Sequence, residues 1–161
     1  IDIPQDLVFL YETDYVRRAG VIPYMVYNGI TYILLGYSNE ENPVWADLGG
    51  RSERNESTIQ TAIREFGEES RYVLSIDLTR LNKVLITGIS RSGYPEQVHL
   101  VVEVDPTIDN IYINDKFQQT IPKTSYEDEM ILLQWIPYDY FMEMDGLSIS
   151  MIHVRNLLKS I

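Results

Sequence analysis

Three glutamates near the middle of the chain have the spacing of a cation site. Glu65, Glu68 and Glu69 lie within five residues of one another. In a helix, at about 100° per residue, their side chains share one arc about 100° wide. Carboxylate oxygens are the ligands that hard divalent cations prefer, with the remaining positions open to water and substrate phosphates. Because such ions neutralise phosphate charge and help to position a water, the glutamates indicate phosphoryl-transfer chemistry.

Without a cation, this arrangement would be unfavourable. Like charges three or four residues apart destabilise a helix by about 0.2 to 0.5 kcal/mol per pair. The glutamates also fall in the last predicted turn, where the helix dipole disfavours negative charge. A solvated acidic face is nevertheless the usual explanation for such a cluster, so the surrounding residues have to decide between the two interpretations.

Composition narrows the class of protein. The chain has 161 residues, of which 45% are hydrophobic and 23% charged. This is an ordinary globular composition, and we expect one domain over residues 1–161. The 24 Asp and Glu residues exceed the 13 Lys and Arg residues, which gives a net charge of -11. Since this excess repels phosphate backbones and anionic lipids, we expect neither long nucleic acid nor a membrane as a partner.

The inventory of reactive side chains is small. With no cysteine and only His99 and His153, thiolate sites are excluded and a histidine-rich site has little material. His99 alternates with apolar neighbours in a strand pattern, so we expect it to be structural. No apolar run reaches the ~18 residues of a membrane span and nothing resembles a secretory signal, so we expect a cytoplasmic protein. Because the chain begins at Ile1 rather than Met, we expect it to be trimmed or excised from a longer one.

The glutamates need a helix to carry them, and the sequence predicts one from about Thr58 to Glu69. Ser57 and Gln60 have the spacing of a capping box, in which each side chain bonds the other residue's backbone N–H. Apolar residues recur at helical spacing beside the glutamates, and we expect them to face the core. These residues are Ile59, Ala62, Ile63 and Phe66.

Strand patterns lie on both sides of this helix. Apolar stretches at 19–27 and 30–37 flank the turn dipeptide Asn28-Gly29, which predicts a hairpin, with Pro23 at an edge or a bulge. Later segments predict, in order, two strands, a loop, a strand and a helix, at 83–91, 97–105, 107–128, 130–136 and 148–161. Together they predict an α/β fold in which helices cover a mixed sheet.

The spacing around the glutamates resembles the Nudix box, Gly-x5-Glu-x7-Arg-Glu-U-x-Glu-Glu-x-Gly-U, where U is aliphatic or aromatic. The matching residues are Gly50, Glu56, Arg64, Glu65, Glu68 and Glu69, with Phe66 and Tyr72 at the U positions. Of the seven defining positions that are not U positions, six match. The seventh, a glycine that follows the helix where a positive φ is often needed, is Arg71 here.

The resemblance covers roughly residues 17 to 140. Residues 18–24 are similar to the first core strand of many Nudix proteins. Residues 45–50 resemble the Trp-x-x-Pro-Gly-Gly segment before the box, with Leu48 at the Pro position. Glu129, placed before a strand that contains Trp135, is similar to the later acidic loop. The fold that this resemblance implies is the Nudix α/β/α sandwich, a mixed sheet between helices.

The resemblance also implies an activity. Nudix enzymes use Mg²⁺ or Mn²⁺ to hydrolyse a nucleoside diphosphate linked to another moiety, which here would be a small nucleotide. Glu65, Glu68 and Glu69, with the Gly49 carbonyl, match the metal ligands. The general base is either a box glutamate or an acid of the later loop, for which Glu129 is the candidate and Glu127 the substitute.

Other positions match supporting roles. Gly50 and Glu56 are structural in the motif, and Arg64 is expected to pair with Glu56 and orient the catalytic carboxylates, because a guanidinium binds two oxygens at once. The candidate substrate contacts rest on residue type alone. They are Arg18 and Arg51 for phosphates and Tyr94 for stacking on a base.

Two other functions are compatible with the box. An RNA 5′-cap or 5′-end hydrolase would need a basic track, and the longest Lys/Arg run is Arg17-Arg18. A catalytically silent Nudix domain for nucleotide sensing or protein interaction would typically lose the box glutamates, which this chain keeps. Nudix proteins are often dimers, so the resemblance also allows a homodimer as the oligomeric state.

Overall fold

The computed structural model describes residues 16–88, 91, 93 and 96–161. The strands are β1 (Arg18–Tyr27), β2 (Ile30–Ser38), β3 (Trp45–Ala46), β4 (Leu48–Arg51), β5 (Leu81–Ile86), β6 (Gln97–Glu103) and β7 (Met130–Pro137). The helices are α1 (Thr58–Glu69), α2 (Ile108–Ile111), α3 (Ile113–Gln119), α4 (Tyr138–Phe141) and α5 (Ile149–Leu157). Short 3₁₀ turns cover Leu78–Arg80 and Ser125–Asp128.

Seven strands in the described residues form one mixed sheet. The main path is β3-β2-β1-β6-β5, with β4 paired to β1 and β7 paired to β2. β1 and β6 are parallel, and the other pairs are antiparallel. On its other side, β1 pairs first with β4 and then with β2. β1 therefore lies at the centre of the sheet.

Helices cover both faces of this sheet. Ala19 and Val21 of β1 belong to one core, with Phe66 of α1 and Phe117 of α3. Ile22 belongs to the opposite core, together with residues of α4 and α5. Because side chains of a strand alternate between faces, one central strand supplies both cores. The predicted α/β/α sandwich is confirmed.

The predicted helix and hairpin are confirmed as well. α1 spans the predicted residues, and both capping-box bonds between Ser57 and Gln60 are present. The prediction for Ile63 was wrong, since 37% of its surface is exposed. The buried stripe of α1 instead includes Thr58, Ala62 and Phe66, which leaves Ile63 at its margin.

Two other predictions need correction. Pro23 is neither at an edge nor at a bulge, because β1 is central. On one side of β1, however, the pairing with β4 ends at Val21 and the pairing with β2 begins at Tyr24, so Pro23 lies in the gap between them. A residue without an N–H is tolerated best at such a gap. The segment predicted as a loop at 107–128 contains α2 and α3, whose short lengths give little periodic signal.

The backbone reverses sharply after α1. Arg71 and Tyr72 both adopt the left-handed conformation, with φ of 54° and 58°. For residues other than glycine this conformation costs about 1 to 2 kcal/mol each. The positive φ expected at the usual glycine position is therefore present, but an arginine adopts it. Among the described residues, no helix is long and apolar enough to cross a bilayer.

Candidate active site

Close approach of β1 and β4 brings the end of α1 to the sheet. Gly49 lies opposite Gly20 in the antiparallel pair. A Cβ on Gly49 would lie 2.6 Å from the Gly20 Cα and 2.7 Å from the Ala19 oxygen, so only glycine fits. The Gly49 N–H donates a hydrogen bond to Glu69 Oε2 at 2.9 Å. Backbone packing therefore fixes the position of the last glutamate of the helix.

Glu69 is buried, with 4% of its surface exposed. Burial, together with a hydrogen-bonding contact to the Glu129 carboxyl group, raises the pKa of Glu69 well above its usual value, although the charge of Arg18 opposes the shift. Two carboxylates so close repel each other unless a proton or a cation lies between them. The structure thus brings a box glutamate and the predicted loop acid together.

Arg64 contacts Glu65 and Glu68. Its Nη1 donates to Glu65 Oε1 at 2.8 Å and lies 3.4 Å from Glu68 Oε2. Burial raises the pKa of Glu65, and the contact with Arg64 opposes that shift. A Cβ on Gly50 would collide with the Glu65 carboxylate, so a side chain there would displace this glutamate.

The expected pair between Arg64 and Glu56 is present. Arg64 Nε donates to Glu56 Oε2 at 2.6 Å and Nη2 donates to Glu56 Oε1 at 3.0 Å. Nη2 also donates to the Arg51 carbonyl oxygen at 2.9 Å, which ties the helix to β4. The hydrogen bonds from Arg64 outweigh the effect of burial and lower the pKa of Glu56 to about 2.

The low pKa of Glu56 predicts a pH-dependent contribution to stability. Since the folded-state pKa lies below the unfolded value of ~4.5, the contribution is complete above about pH 5 and is lost as the pH falls towards 2. We expect Glu56→Gln to lower the free energy of unfolding by about 1 to 2 kcal/mol at pH 7. In urea unfolding at pH 7 and pH 3, the difference from wild type should shrink at pH 3. An equal loss at both pH values would show that charge is not responsible.

A cleft of about 270 Å³ opens beside Glu69. Its lining includes Arg18, Asn39, Asp47, Gly49, Glu69 and Glu129. Glu65 and Glu68 lie beside Arg64 and are not among the residues that line this cleft. Arg51 has an exposed side chain. Glu127 is buried, and the predicted stacking residue Tyr94 lies outside the described residues.

The donor set of this region fits a hard divalent cation. It consists of carboxylate oxygens with a neighbouring backbone carbonyl, the ligands typical of Mg²⁺ and Mn²⁺. The buried Glu69 beside Glu129 would also be relieved by a positive ion. In the described part of the chain, no three Asp, Glu or His side chains are already grouped to hold a metal.

A buried polar chain behind the cleft was not predicted. Arg18 donates to both oxygens of Asp47, at 2.9 and 3.1 Å. His99 Nδ1 lies 2.8 Å from Asp47 Oδ2, and His99 Nε2 lies 2.8 Å from Thr87 Oγ1. Burial would raise the pKa of Asp47, but the Arg18 charge and the hydrogen bonds from His99 and Arg18 outweigh it and hold the pKa well below its usual range. Asp47 is therefore ionised, and the His99 Nδ1–H donates to it.

One feature of the sequence could have indicated these buried polar contacts. Asp47 is a charged residue inside an apolar segment. Such a residue needs a partner if it is buried. Gly20 provides the space, because a Cβ there would lie 2.6 Å from Asp47 Oδ2. The expectation that His99 is structural agrees with its burial and its two contacts. The candidate phosphate contact Arg18 is thus fixed by Asp47 while lining the cleft.

Comparison with known proteins gives a fold. No profile of a known protein family matches the sequence, and no curated protein matches it. Solved structures do match. A Nudix hydrolase from M. Smegmatis, RenU, is 14% identical with a TM-score of 0.59, and the match covers 91% of this chain and 86% of that one.

Two further structures carry small-molecule information. A C. elegans Ap4A hydrolase in a binary complex is 18% identical with a TM-score of 0.56, covering 88% of this chain and 94% of that one. The NUDIX domain of Shewanella oneidensis NrtR, complexed with ADP ribose, is 13% identical with a TM-score of 0.51, covering 96% of each chain. The chain therefore has the fold of the Nudix hydrolases, as its spaced motif implied.

Proposed function

We propose that the chain is a Mg²⁺- or Mn²⁺-dependent Nudix pyrophosphohydrolase that forms one domain and acts in the cytoplasm. The observation that carries the proposal is the contact between Glu69 and Glu129 beside a cleft lined by Arg18. Glu69 belongs to the segment that resembles the Nudix box, and the fold is that of Nudix hydrolases. Motif, fold and side-chain placement thus support one activity.

The substrate class that we propose is a nucleoside diphosphate linked to another moiety. Two structural neighbours are described with small nucleotides, an Ap4A hydrolase and a domain complexed with ADP ribose. Ap4A and ADP ribose both contain phosphoanhydride bonds. A cleft of about 270 Å³ suits the phosphate portion of such a molecule, and the acidic net charge disfavours a long RNA.

In the proposed mechanism, Glu65, Glu68, Glu69 and the Gly49 carbonyl would hold the divalent ions. When bound, such ions would supply neutralisation of phosphate charge and activation of water. Arg18 contributes its guanidinium to a substrate phosphate, and Asp47 orients it. Glu129 would accept a proton from the water whose oxygen forms the new bond to phosphorus, while the bridging P–O bond of the anhydride breaks and its oxygen leaves with the second phosphate-bearing product. Glu129 is favoured over Glu127 because it lines the cleft, although a box glutamate stays an alternative base.

A substrate screen with Mg²⁺ or Mn²⁺ tests the proposal. Nucleoside diphosphates linked to sugars, nucleosides or phosphates should release two phosphate-bearing products, and Glu68→Gln should lower kcat by about 10²-fold or more. Glu143→Gln, at an exposed glutamate after α4, is the control and should keep full activity. Undiminished rates in both Glu68→Gln and Glu69→Gln would overturn the assignment.

The same screen separates the alternative functions. A catalytically silent domain would show no turnover, and calorimetric titration would detect no binding of Mg²⁺ or Mn²⁺ with or without nucleotide. An RNA-end hydrolase would bind a capped oligonucleotide more tightly than a free cap analogue. Either result would replace the proposed function.

A further inference from the structure

Arg71 stands at the position where the Nudix pattern has glycine. Its side chain is largely buried, with 9% exposed, although the residue directly follows the helix exit. Its guanidinium lies over the Phe117 ring, 4.0 Å from the ring centroid. A substitution that only allowed a positive φ would not need such contacts, so the side chain has a role of its own.

The guanidinium first binds the end of α3. Nη1 donates to the carbonyl oxygens of Phe117 at 3.2 Å and Thr120 at 3.0 Å. The last carbonyls of a helix have no partner within the helix, and a cation satisfies them well. Arg71 therefore joins the exit of α1 to the exit of α3.

The same group also binds the segment that carries Glu129. Nε donates to the Glu127 carbonyl oxygen at 3.0 Å. Nη2 lies 3.5 Å from Asp128 Oδ1 and 3.5 Å from the Met130 carbonyl oxygen. Residues on both sides of Glu129 are thus tied to Arg71. A planar guanidinium can make all these contacts at once, whereas an ammonium cannot reproduce the fork.

Asn39 makes a second set of hydrogen bonds to this segment. The Asn39 N–H donates to the Glu129 carbonyl oxygen at 2.8 Å, and Asn39 Nδ2 donates to the Asp128 carbonyl oxygen at 3.0 Å. Asn39, which directly follows β2, and Arg71 therefore both hold this segment. The side chain of Glu129, within the segment, contacts Glu69 and lines the same cleft.

We propose that Arg71 is a positioning residue that holds Glu129 opposite Glu69 by anchoring the segment 127–130 to the exit of the box helix. The proposal rests on the proposed function, because it gives Arg71 a role in turnover through Glu129. It also accounts for the departure from the Nudix pattern. Arginine at position 71 introduces backbone strain, and its side chain holds the acidic segment 127–130 in place.

Kinetics of single and double variants test this proposal in the full chain. We expect Arg71→Gly, which relieves the strain but removes the anchor, to lower kcat by about 10- to 100-fold. KM for the nucleotide should stay within about twofold. Arg71→Lys should recover little, since it keeps only the charge. Arg155→Gln is the matched control. It removes a hydrogen bond from an arginine of α5 to the Met144 carbonyl oxygen, and the activity of this variant should be unchanged.

The decisive comparison uses Glu129→Gln. If Arg71 acts through Glu129, the double variant Arg71→Gly/Glu129→Gln should be no slower than Glu129→Gln alone, within about twofold. Losses that multiply would overturn the proposal, as would an unchanged kcat in Arg71→Gly.

Hydrogen exchange gives a reading that does not require activity. Amides of residues 127–130 should exchange at least about 10-fold faster in Arg71→Gly, while amides of β1 stay protected. Unchanged exchange in the segment would overturn the proposal even if the protein had no hydrolase activity. If Arg71→Gly does not fold, the same readings are made on Arg71→Lys. Absence of turnover in the wild type would instead count against the proposed function.

Discussion

Glu69→Gln is expected to reduce kcat by about 10²- to 10⁴-fold and to make the metal-free protein more stable. The loss of activity follows from removing a charged ligand at the centre of the proposed metal site. The gain in stability follows from the burial of Glu69 and from the nearby Glu129 carboxylate. An amide in place of this carboxylate avoids both the desolvation and the repulsion.

Thermal unfolding in EDTA measures the second effect. We expect the free energy of unfolding to rise by about 1 to 2 kcal/mol, which corresponds to about 2 to 4 °C in Tm per kcal/mol for a chain of this size. Addition of Mg²⁺ should raise the Tm of the wild type more than that of Glu69→Gln, because the ion stabilises the state that binds it. Glu143→Gln should change neither Tm nor kcat. A lower Tm for Glu69→Gln in EDTA would contradict this account of the buried carboxylate.

Asp47→Ala is expected to cause the largest loss of stability, about 3 to 5 kcal/mol. Asp47 and His99 are fully buried, and Arg18 is 20% exposed at its side chain. Removing the shared carboxylate leaves a guanidinium without its bidentate partner and an imidazole N–H without an acceptor. Asp47→Asn keeps one acceptor oxygen and should lose less.

Equilibrium unfolding in urea measures the effect of each Asp47 variant. The slope of the free energy against urea should stay close to that of the wild type if only the native state changes. Asp145→Ala, at an exposed aspartate, is the control and should lie within about 0.5 kcal/mol of the wild type. A loss below about 1 kcal/mol for Asp47→Ala would contradict a structural role for the buried chain.

Local features of the fold could be predicted from sequence, whereas features made by distant strands could not. The capping box and the apolar stripe placed α1 correctly, because both patterns lie within one helix. The turn dipeptide Asn28-Gly29 placed the hairpin for the same reason. Residues 113 and 117 belong to a helix that is too short to show a clear periodic pattern in the sequence. Burial of these two residues in the core is what stabilises the helix.

The candidate site divides in the same way. Spacing alone put Glu65, Glu68 and Glu69 on one helix. The partnership of Asp47 with His99 depends on two strand registers, those of β1 with β4 and with β6, and on the space above Gly20, and no short-range pattern encodes these. The contacts of Arg71 depend on where α3 ends, which sequence did not reveal.

The parallel pairing of β1 with β6 has a consequence for the order of folding. Arg18 lies beside Gln97 in that pair, so the two strands must meet across a long intervening chain. Closure of such a loop is slow, since its entropy is lost before the contacts form. The helix with the box glutamates can form early from local interactions, but Arg18, Asp47 and His99 meet only when β6 docks. The contacts among Arg18, Asp47 and His99 would therefore form late, only after β6 has been synthesised.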